Sequence, residues 1–199
     1  MSSTTGNSDP YLYPGTNILK NLRSLTDPDL LERFEARRTH RRIAELIDTP
    51  VAGRFDAAHF KAIHRHIFQD VYEWAGQFRT VNISKGGHLF GLARFLEPVV
   101  QQILEKLVAE NYLGGLDAAT FADRAAYFLG EINAAHPFRE GNGRTQREFL
   151  REVALRAGHY IDWRETTLRE MTEASRLSHV SGDRSRFAVL IRAALRDRA

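Results

Sequence analysis

The spacing of apolar residues along this chain is that of a helical protein. Apolar side chains recur every three or four positions in six segments, as on one face of an α-helix. The predicted helices cover residues 29–47, 56–75, 93–111, 117–135, 144–157 and the tail from residue 165 onward. A break at Ser181-Gly182-Asp183 would divide the tail and give a seventh helix. The pattern therefore predicts an all-α fold, a compact domain of many helices.

In one segment apolar and polar residues alternate instead, as they do in a β-strand. Val81 and Ile83 lie between polar neighbours, and the adjacent Gly86 and Gly87 suit a tight turn. Leu89 and Phe90 would form the returning arm. This is the one β-hairpin that the sequence predicts.

Length and composition are those of a single domain. The chain has 199 residues and is 43% hydrophobic, which is enough for a substantial core. Only short connectors separate the predicted helices, and no repeat divides the chain. Residues 9–199 are expected to form the domain, and the small polar residues 1–8 are expected to be disordered.

Composition also excludes several classes of function. The chain has no cysteine, so disulfides, thiolate metal sites and cysteine nucleophiles are excluded. It has neither an apolar run long enough to cross a membrane nor a secretory signal, and a cytoplasmic location is expected. The net charge of +3 is modest, and acidic residues interrupt most arginine clusters, so direct nucleic-acid binding is not expected.

The densest chemistry lies in residues 136–147, which read His-Pro-Phe-Arg-Glu-Gly-Asn-Gly-Arg-Thr-Gln-Arg. Pro137 cannot continue the preceding helix and disfavours helical geometry at His136. A new apolar helical pattern starts after Gly143. The motif is therefore predicted to be a loop that ends one buried helix and opens the next.

That position favours phosphate binding. The first turn of a helix carries unpaired N–H groups and a partial positive charge, and Gly141 and Gly143 let a phosphate approach the backbone closely. The Asn142 amide would add a side-chain donor. Guanidinium groups suit phosphate oxygens, and Arg144 and Arg147 recur here at helical spacing, followed by Arg151. At least the first two of these arginines are expected to hold phosphates.

Two further residues would complete a reactive site. Glu140 beside the glycines is a hard oxygen ligand that suits Mg²⁺ bridging phosphates. His136 is a candidate general base. Together the residues favour phosphoryl or nucleotidyl transfer.

A purely structural interpretation exists for each part. Gly-Asn-Gly often only joins two helices, and the arginines with Glu148 could form a solvated face with intrahelical ion pairs. A structural turn does not require His, Glu, Asn and two Arg together, and their conjunction favours a functional site. His59, His64 and His66 lack the spacing of a zinc-binding helix, so no metal site is predicted there.

The motif resembles the signature of the Fic family, His-x-Phe-x-(Asp/Glu)-Gly-Asn-Gly-Arg-x-x-Arg. Every specified position is matched, including Phe138. Residues 9–21 and 64–76 also resemble segments that precede the active site in such proteins. The resemblance extends from about residue 9 to about residue 163.

The resemblance implies a helical Fic-like domain that transfers AMP from ATP to a hydroxyl side chain of a target protein. His136 would deprotonate the hydroxyl, and Glu140 would position Mg²⁺. Gly141, Asn142 and Gly143 would form the anion hole, and Arg144 and Arg147 would bind the outer phosphates. Phe138 would be a buried anchor.

The hairpin resembles the flap on which Fic enzymes dock an extended segment of the target by strand addition. The residues assigned to that flap are Thr80, Val81, Asn82, Ile83, Ser84, Lys85 and Gly86. A related branch that transfers phosphate has Ala and Lys in place of Gly141 and Gly143, so the pattern here favours AMP transfer. Transfer of phosphate, UMP or phosphocholine, removal of AMP, and a catalytically silent binding module stay open as alternatives.

Many family members carry a self-inhibitory Ser/Thr-x-x-x-Glu-Gly/Asn motif, which this chain lacks. The segment Thr166-Thr-Leu-Arg-Glu170 comes nearest, but Met171 stands where Gly or Asn is required. The resemblance then implies a bacterial toxin inhibited in trans by a small antitoxin that carries the glutamate. Members of that class modify the type II topoisomerases DNA gyrase and topoisomerase IV.

Overall fold

A computed structural model describes residues 9–196 and the backbone of Ser3–Thr4. The expected disorder of residues 1–8 falls, apart from those two backbone positions, outside the described residues. Seven α-helices lie in the described part of the chain, and the all-α prediction is confirmed. They are α1 (Pro28–Asp48), α2 (Ala57–Phe68), α3 (Leu96–Ala109), α4 (Ala118–Ala135), α5 (Asn142–Ala157), α6 (Leu168–Ser181) and α7 (Ser185–Ala194). None of the helices described is both long enough and apolar enough to span a lipid bilayer.

Helix α4 lies at the centre of the fold. It packs against α3, α5, α6 and α7, while α2 packs against α1 and α5. Its predicted apolar face is buried as expected, and small residues such as Ala122 and Ala126 let neighbours approach its other sides. A helix that is apolar nearly all round is one that the core encloses. The C-terminal end of α4, where the motif begins, is therefore held from several directions.

Polar caps set most helix starts. Asp27, Asp56 and Asp117 accept hydrogen bonds from backbone N–H groups in the first turns of α1, α2 and α4. Thr167 and Glu170 form a reciprocal capping box at the start of α6. The predicted break near residues 181–183 is confirmed, because Gly182 ends α6 with φ +72°.

The predicted helix over residues 56–75 was too long. Helix α2 ends at Phe68, and the following residues form turns. Their apolar side chains, which continued the helical pattern in the sequence, enter the core from those turns; Tyr72 and Trp74 are examples. Arg42 of α1 holds the turn by donating two hydrogen bonds to Asp70 at 2.8 and 2.9 Å.

The predicted hairpin is present and shorter than expected. It consists of β2 (Ile83–Lys85) and β3 (His88–Leu89), joined by Gly86 and Gly87 at φ +57° and +80°. The other edge of β2 pairs antiparallel with β1 (Ser3–Thr4), with Ser84 opposite Ser3. A second pair joins β4 (Tyr160–Ile161) to β5 (Leu195–Arg196). The sequence predicted neither β1 nor this pair, because two-residue strands are too short to show alternation.

Phe138 is the buried anchor that the sequence predicted. Its side chain has no solvent exposure, its ring stacks on His64 at 3.8 Å between centroids, and Phe60 and Phe78 lie at 5.3 Å. Replacing a fully buried phenylalanine leaves a cavity, and Phe138→Ala is expected to lower the free energy of unfolding by about 3–5 kcal/mol. Urea denaturation followed by circular dichroism would measure the change.

Phe95→Ala is the matched control, since this side chain is 48% exposed. Phe95→Ala is expected to lower the free energy of unfolding by less than about 1 kcal/mol. Equal losses for the two variants would contradict the anchoring role of Phe138.

Candidate active site

The motif forms a tight loop between α4 and α5, as predicted. His136 ends α4 in the left-handed conformation (φ +45°), and its N–H still donates to Ile132. Gly141, at φ +82°, precedes the first turn of α5. Helix α5 begins at Asn142, two residues earlier than the apolar pattern indicated. The N-terminus of α5 therefore faces the same space as the His136 side chain.

Gly141 cannot be another residue without rearrangement. An added Cβ would lie 2.2 Å from the ring of Phe68, and the positive φ disfavours any side chain. At Gly143, by contrast, an added Cβ would meet only the Arg147 guanidinium, at 3.6 Å. The loop is therefore closed on the core side at Gly141 and open on the cavity side at Gly143.

The Asn142 side chain does not provide the free donor that the sequence analysis expected. Its Nδ2 donates to the Phe138 carbonyl at 2.8 Å, and its Oδ1 accepts from the Phe138 N–H at 2.9 Å. Both polar atoms are used to close the loop. An anion would instead meet the backbone N–H groups of Asn142, Gly143 and Arg144, which have no partners within the helix.

His64 supports the loop from behind. It is fully buried, and its Nδ1 accepts a hydrogen bond from the Gly76 N–H at 2.8 Å. Its other nitrogen, Nε2, therefore carries the hydrogen and donates to the Glu140 carbonyl at 3.1 Å. Burial lowers the pKa of His64 to about 3, which keeps the ring neutral.

The histidines that lacked zinc-site spacing have structural partners. His59 contacts the Val51 carbonyl and Glu152. His64 has different partners, the Gly76 N–H and the Glu140 carbonyl. Within residues 9–196 no three histidine or acidic side chains are arranged to hold a metal ion by themselves.

A buried ion pair ties the N-terminal segment to the motif. Arg139 donates from Nε to Asp9 at 2.8 Å, and both side chains are almost fully buried. Each side chain compensates the buried charge of the other, and removing one partner alone would leave the other charge buried and unpaired. The sequence pattern alone did not indicate this contact, because Arg139 occupies an unspecified position of the motif.

His136 lies half-buried between the flap and α6. Its ring stacks on Phe90 at 4.0 Å, and His179 stacks on the same phenylalanine at 4.1 Å. Burial, with the nearby charge of Arg79, lowers the pKa of His136 to about 3. The imidazole is therefore neutral at neutral pH and able to accept a proton.

Arg79 connects His136 to the flap. Its side chain is 2% exposed and donates to four backbone carbonyls, those of Val81, Gly91, Ala135 and His136. A cation at the C-terminal end of α4 also complements the helix dipole. The sequence analysis did not single out Arg79, because no motif marks an arginine just before the predicted flap.

The two motif arginines differ in their surroundings. Arg144 forms an ion pair with Glu35 of α1 at 2.6 Å, and its guanidinium lies 4.7 Å from the centre of the Phe68 ring. Arg147 has no ion-pair partner within residues 9–196. Burial and the charge of Arg144 lower the pKa of Arg147, so an anion arriving there would relieve an uncompensated cation.

Arg151 does not join this cluster. It is buried and donates to Glu148 and to the Leu46 carbonyl, both at 2.9 Å. It therefore fastens α5 to α1, and the solvated arginine face considered from the sequence does not exist at Glu148, which is also buried.

Two cavities meet at His136. The first, about 440 Å³, lies between α1, the motif loop and α6, and its walls include Glu35, Glu140 and Arg147. The second, about 460 Å³, lies between the flap and α6. Five residues line both cavities, namely Lys85, Asn133, His136, Thr172 and Ser175.

Only some of the predicted flap residues line a cavity, and others contact the rest of the domain. Lys85 and Gly86 line the second cavity. Thr80 contacts Tyr11, Asn82 accepts from the Ala93 N–H, and Ile83 is buried in the interior. The side chains of Thr80, Asn82 and Ile83 are thus engaged by the domain itself.

The comparison with known proteins agrees with this geometry. The chain is 44% identical to the protein adenylyltransferase VbhT of Bartonella schoenbuchensis over 96% of its own length, which is 40% of the length of VbhT. It is 39% identical to "Probable protein adenylyltransferase y4lH" of Sinorhizobium fredii, covering 92% of this chain and 94% of that protein.

A solved structure and a family match complete the comparison. The BepC protein of Bartonella tribocorum, solved with bound AMPPNP, superimposes with a TM-score of 0.88 at 28% identity, covering 95% of this chain and 97% of that one. Residues 54–154 match the Fic/DOC family. The resemblance predicted from the motif is confirmed: this chain belongs to the Fic/DOC family.

Proposed function

We propose that this protein is an adenylyltransferase that moves AMP from ATP to a hydroxyl side chain of a target protein. The observation that carries the proposal is the position of His136 at the junction of two cavities. One cavity is lined by a helix N-terminus and two arginines, as a triphosphate requires. The other is lined by rings and aliphatic groups from Phe90, His179 and Val180, as a purine base requires.

The reaction follows from this arrangement. His136 takes the proton of the target hydroxyl, and the hydroxyl oxygen forms a bond to the α-phosphorus. The bond between the α-phosphorus and the bridging oxygen breaks, and pyrophosphate leaves. The N–H groups at the start of α5, with Arg144 and Arg147, stabilise the phosphate charge.

The site also fits Mg²⁺ held by Glu140. Its Oε1 accepts the Gly141 N–H at 2.8 Å and lies 3.5 Å from Arg144, so the carboxylate sits beside the proposed phosphate position. Mg²⁺ in nucleotide sites commonly takes one or two carboxylates and fills its other positions with phosphate oxygens and water. When bound, the ion would neutralise phosphate charge.

The loop does not accommodate the alanine that the phosphate-transferring branch carries. That branch has alanine in place of Gly141, and here an added Cβ would enter the ring of Phe68. For AMP over UMP or phosphocholine, the proposal draws on the adenylyltransferase names of the relatives.

The flap is proposed to dock the target through its main chain. Because side chains such as Asn82 and Ile83 are engaged internally, backbone groups of β2 remain the means of recognition. The pairing of Ser3–Thr4 with β2 occupies the edge to which a target strand would add.

Regulation by a small antitoxin in the bacterial cytoplasm is part of the proposal. Because Arg147 has no ion-pair partner in the described residues, a glutamate supplied in trans could pair with its guanidinium. Leu168, 78% exposed at the rim of the phosphate cavity, offers an apolar contact beside it. Type II topoisomerases, DNA gyrase and topoisomerase IV, are the targets that the resemblance implies.

Isotope transfer tests the proposed reaction. The protein is incubated with a bacterial lysate and ATP labelled at either the α- or the γ-phosphorus, beside a His136→Ala variant. We expect label on a target protein only from the α position and none with the variant. Label from the γ position would indicate phosphate transfer, and no label from either would contradict enzymatic activity under these conditions.

The pH dependence of kcat/KM tests the state of the base. An ordinary histidine titrates near pH 6.5, whereas the folded-state pKa of His136 lies near 3. The base is therefore expected to stay neutral, and active, down to about pH 3. We expect no loss of kcat/KM with a midpoint near 6.5 as the pH falls. A midpoint near pH 6.5 in kcat/KM that does not appear in a titration of ATP binding would contradict a general base with a pKa near 3.

Removal of residues 1–8 tests the flap. Without the strand at the edge of β2, a target should dock more readily, so KM for the target should fall while KM for ATP stays unchanged. A rise in KM for the target would show that the N-terminal strand supports docking and does not compete with it.

A further inference from the structure

The structure assigns Glu35 of α1 as a positioning residue that aims Arg144 at the outer phosphates of the nucleotide. This inference rests on the proposed function and adds a residue that lies outside the motif. Glu35 lies 109 residues from Arg144 in the chain and lines the phosphate cavity with it.

The contacts of Glu35 hold the guanidinium in one orientation. Glu35 Oε1 accepts from Arg144 Nη2 at 2.6 Å, and Thr39, one helical turn further on, accepts from Nη1 at 3.2 Å. The guanidinium plane also lies over the ring of Phe68. Three side chains from two helices, α1 and α2, therefore fix a side chain that would otherwise sample many rotamers.

Glu35 is itself held from behind. The hydroxyl of Tyr72 donates to its second carboxylate oxygen. Tyr72 is 2% exposed and stacks on Trp74 at 4.4 Å, so the hydroxyl is a fixed point of the core. Burial and the neighbouring carboxylate of Glu35 raise the pKa of Tyr72, which keeps this donor protonated.

This arrangement leaves Arg144 free to bind phosphate. A guanidinium has five N–H donors in a planar fork. Glu35 and Thr39 each take one, Nη2 also lies 3.5 Å from Glu140, and the guanidinium keeps further donors while it lines the phosphate cavity. Because Arg144 and Tyr72 both bond to Glu35, its carboxylate is compensated and does not repel an incoming phosphate as a free carboxylate would.

An opposite role for Glu35 makes a different prediction. A carboxylate that merely competes with phosphate for Arg144 would weaken ATP binding, and its removal would strengthen it. A carboxylate that only stabilises the fold would affect all nucleotides alike. Positioning predicts that removal weakens binding only of nucleotides whose phosphates reach Arg144.

Calorimetric titration with ATP·Mg²⁺ and with AMP separates these roles. The parent protein is the His136→Ala variant, which does not consume the nucleotide. In that background Glu35→Ala should weaken ATP binding on the order of tenfold, as loss of a supporting contact does at other ligand sites, and leave AMP binding unchanged. Glu35→Gln, which keeps an acceptor, should lose less.

A double-mutant cycle tests whether the effect runs through the arginine. Once Arg144→Ala is present, Glu35→Ala should add no further loss of ATP affinity, because nothing remains to be positioned. Glu45→Gln is the matched control: Glu45 is another α1 carboxylate that pairs with Arg41 and Arg42, outside both cavities, and its change should leave ATP binding unaffected.

The outcomes distinguish the inference from the proposed function. Equal losses for ATP and AMP, tighter ATP binding, or additive losses in the cycle would each overturn the positioning role while leaving the transferase proposal intact. A parent protein that binds neither nucleotide would remove both. If Glu35→Ala fails to fold, Tyr72→Phe, which removes only the hydroxyl behind Glu35, must still weaken ATP binding more than AMP binding.

Discussion

The buried packing of one short loop is the constraint on which the site depends. Between the last turn of α4 and the first turn of α5, the chain must place an imidazole and a helix N-terminus against the same cavity. Phe138 anchors the loop in the core, and the Asn142 amide bonds both backbone groups of that phenylalanine. His64 donates a hydrogen bond to a carbonyl further along the loop, that of Glu140. These contacts satisfy the N–H and C=O of Phe138 and the C=O of Glu140, which helps the loop to be both buried and rigid.

The arginines of this region fall into three groups according to the groups that they contact. Arg139 and Arg151 have buried carboxylate partners and hold segments together. Arg79 has carbonyl partners instead, which suits a cation at the end of a helix. Arg144 bonds to Glu35 and Thr39, lies 3.5 Å from Glu140 and keeps spare donors, whereas Arg147 has no ion-pair partner in the described chain. The Arg147 guanidinium, at the proposed triphosphate position, therefore lacks a carboxylate partner within residues 9–196.

The helical pattern predicted most of the fold because core helices carry their periodicity in the sequence itself. The cavity-forming motif was predicted for a related reason: its residues are contiguous, and Pro137 and the glycines require the loop that brings them together. The errors have physical causes. The pattern extended α2 past Phe68 because apolar residues in a packed turn imitate a helical face. The sequence analysis assigned the Asn142 amide to the ligand. Only the folded loop shows that this amide hydrogen-bonds to the Phe138 carbonyl instead.

By itself the sequence determined where the proposed chemistry lies, because the candidate base, the candidate magnesium ligand and the glycine-containing turn lie within one short segment whose local geometry is dictated by proline and glycine. Only the tertiary structure decided what surrounds them. Glu35, His64 and Arg79 act on the motif from 57 to 109 residues away in the chain. No local pattern specifies such contacts, since they arise from the packing of α1, α2 and the flap against the ends of α4 and α5.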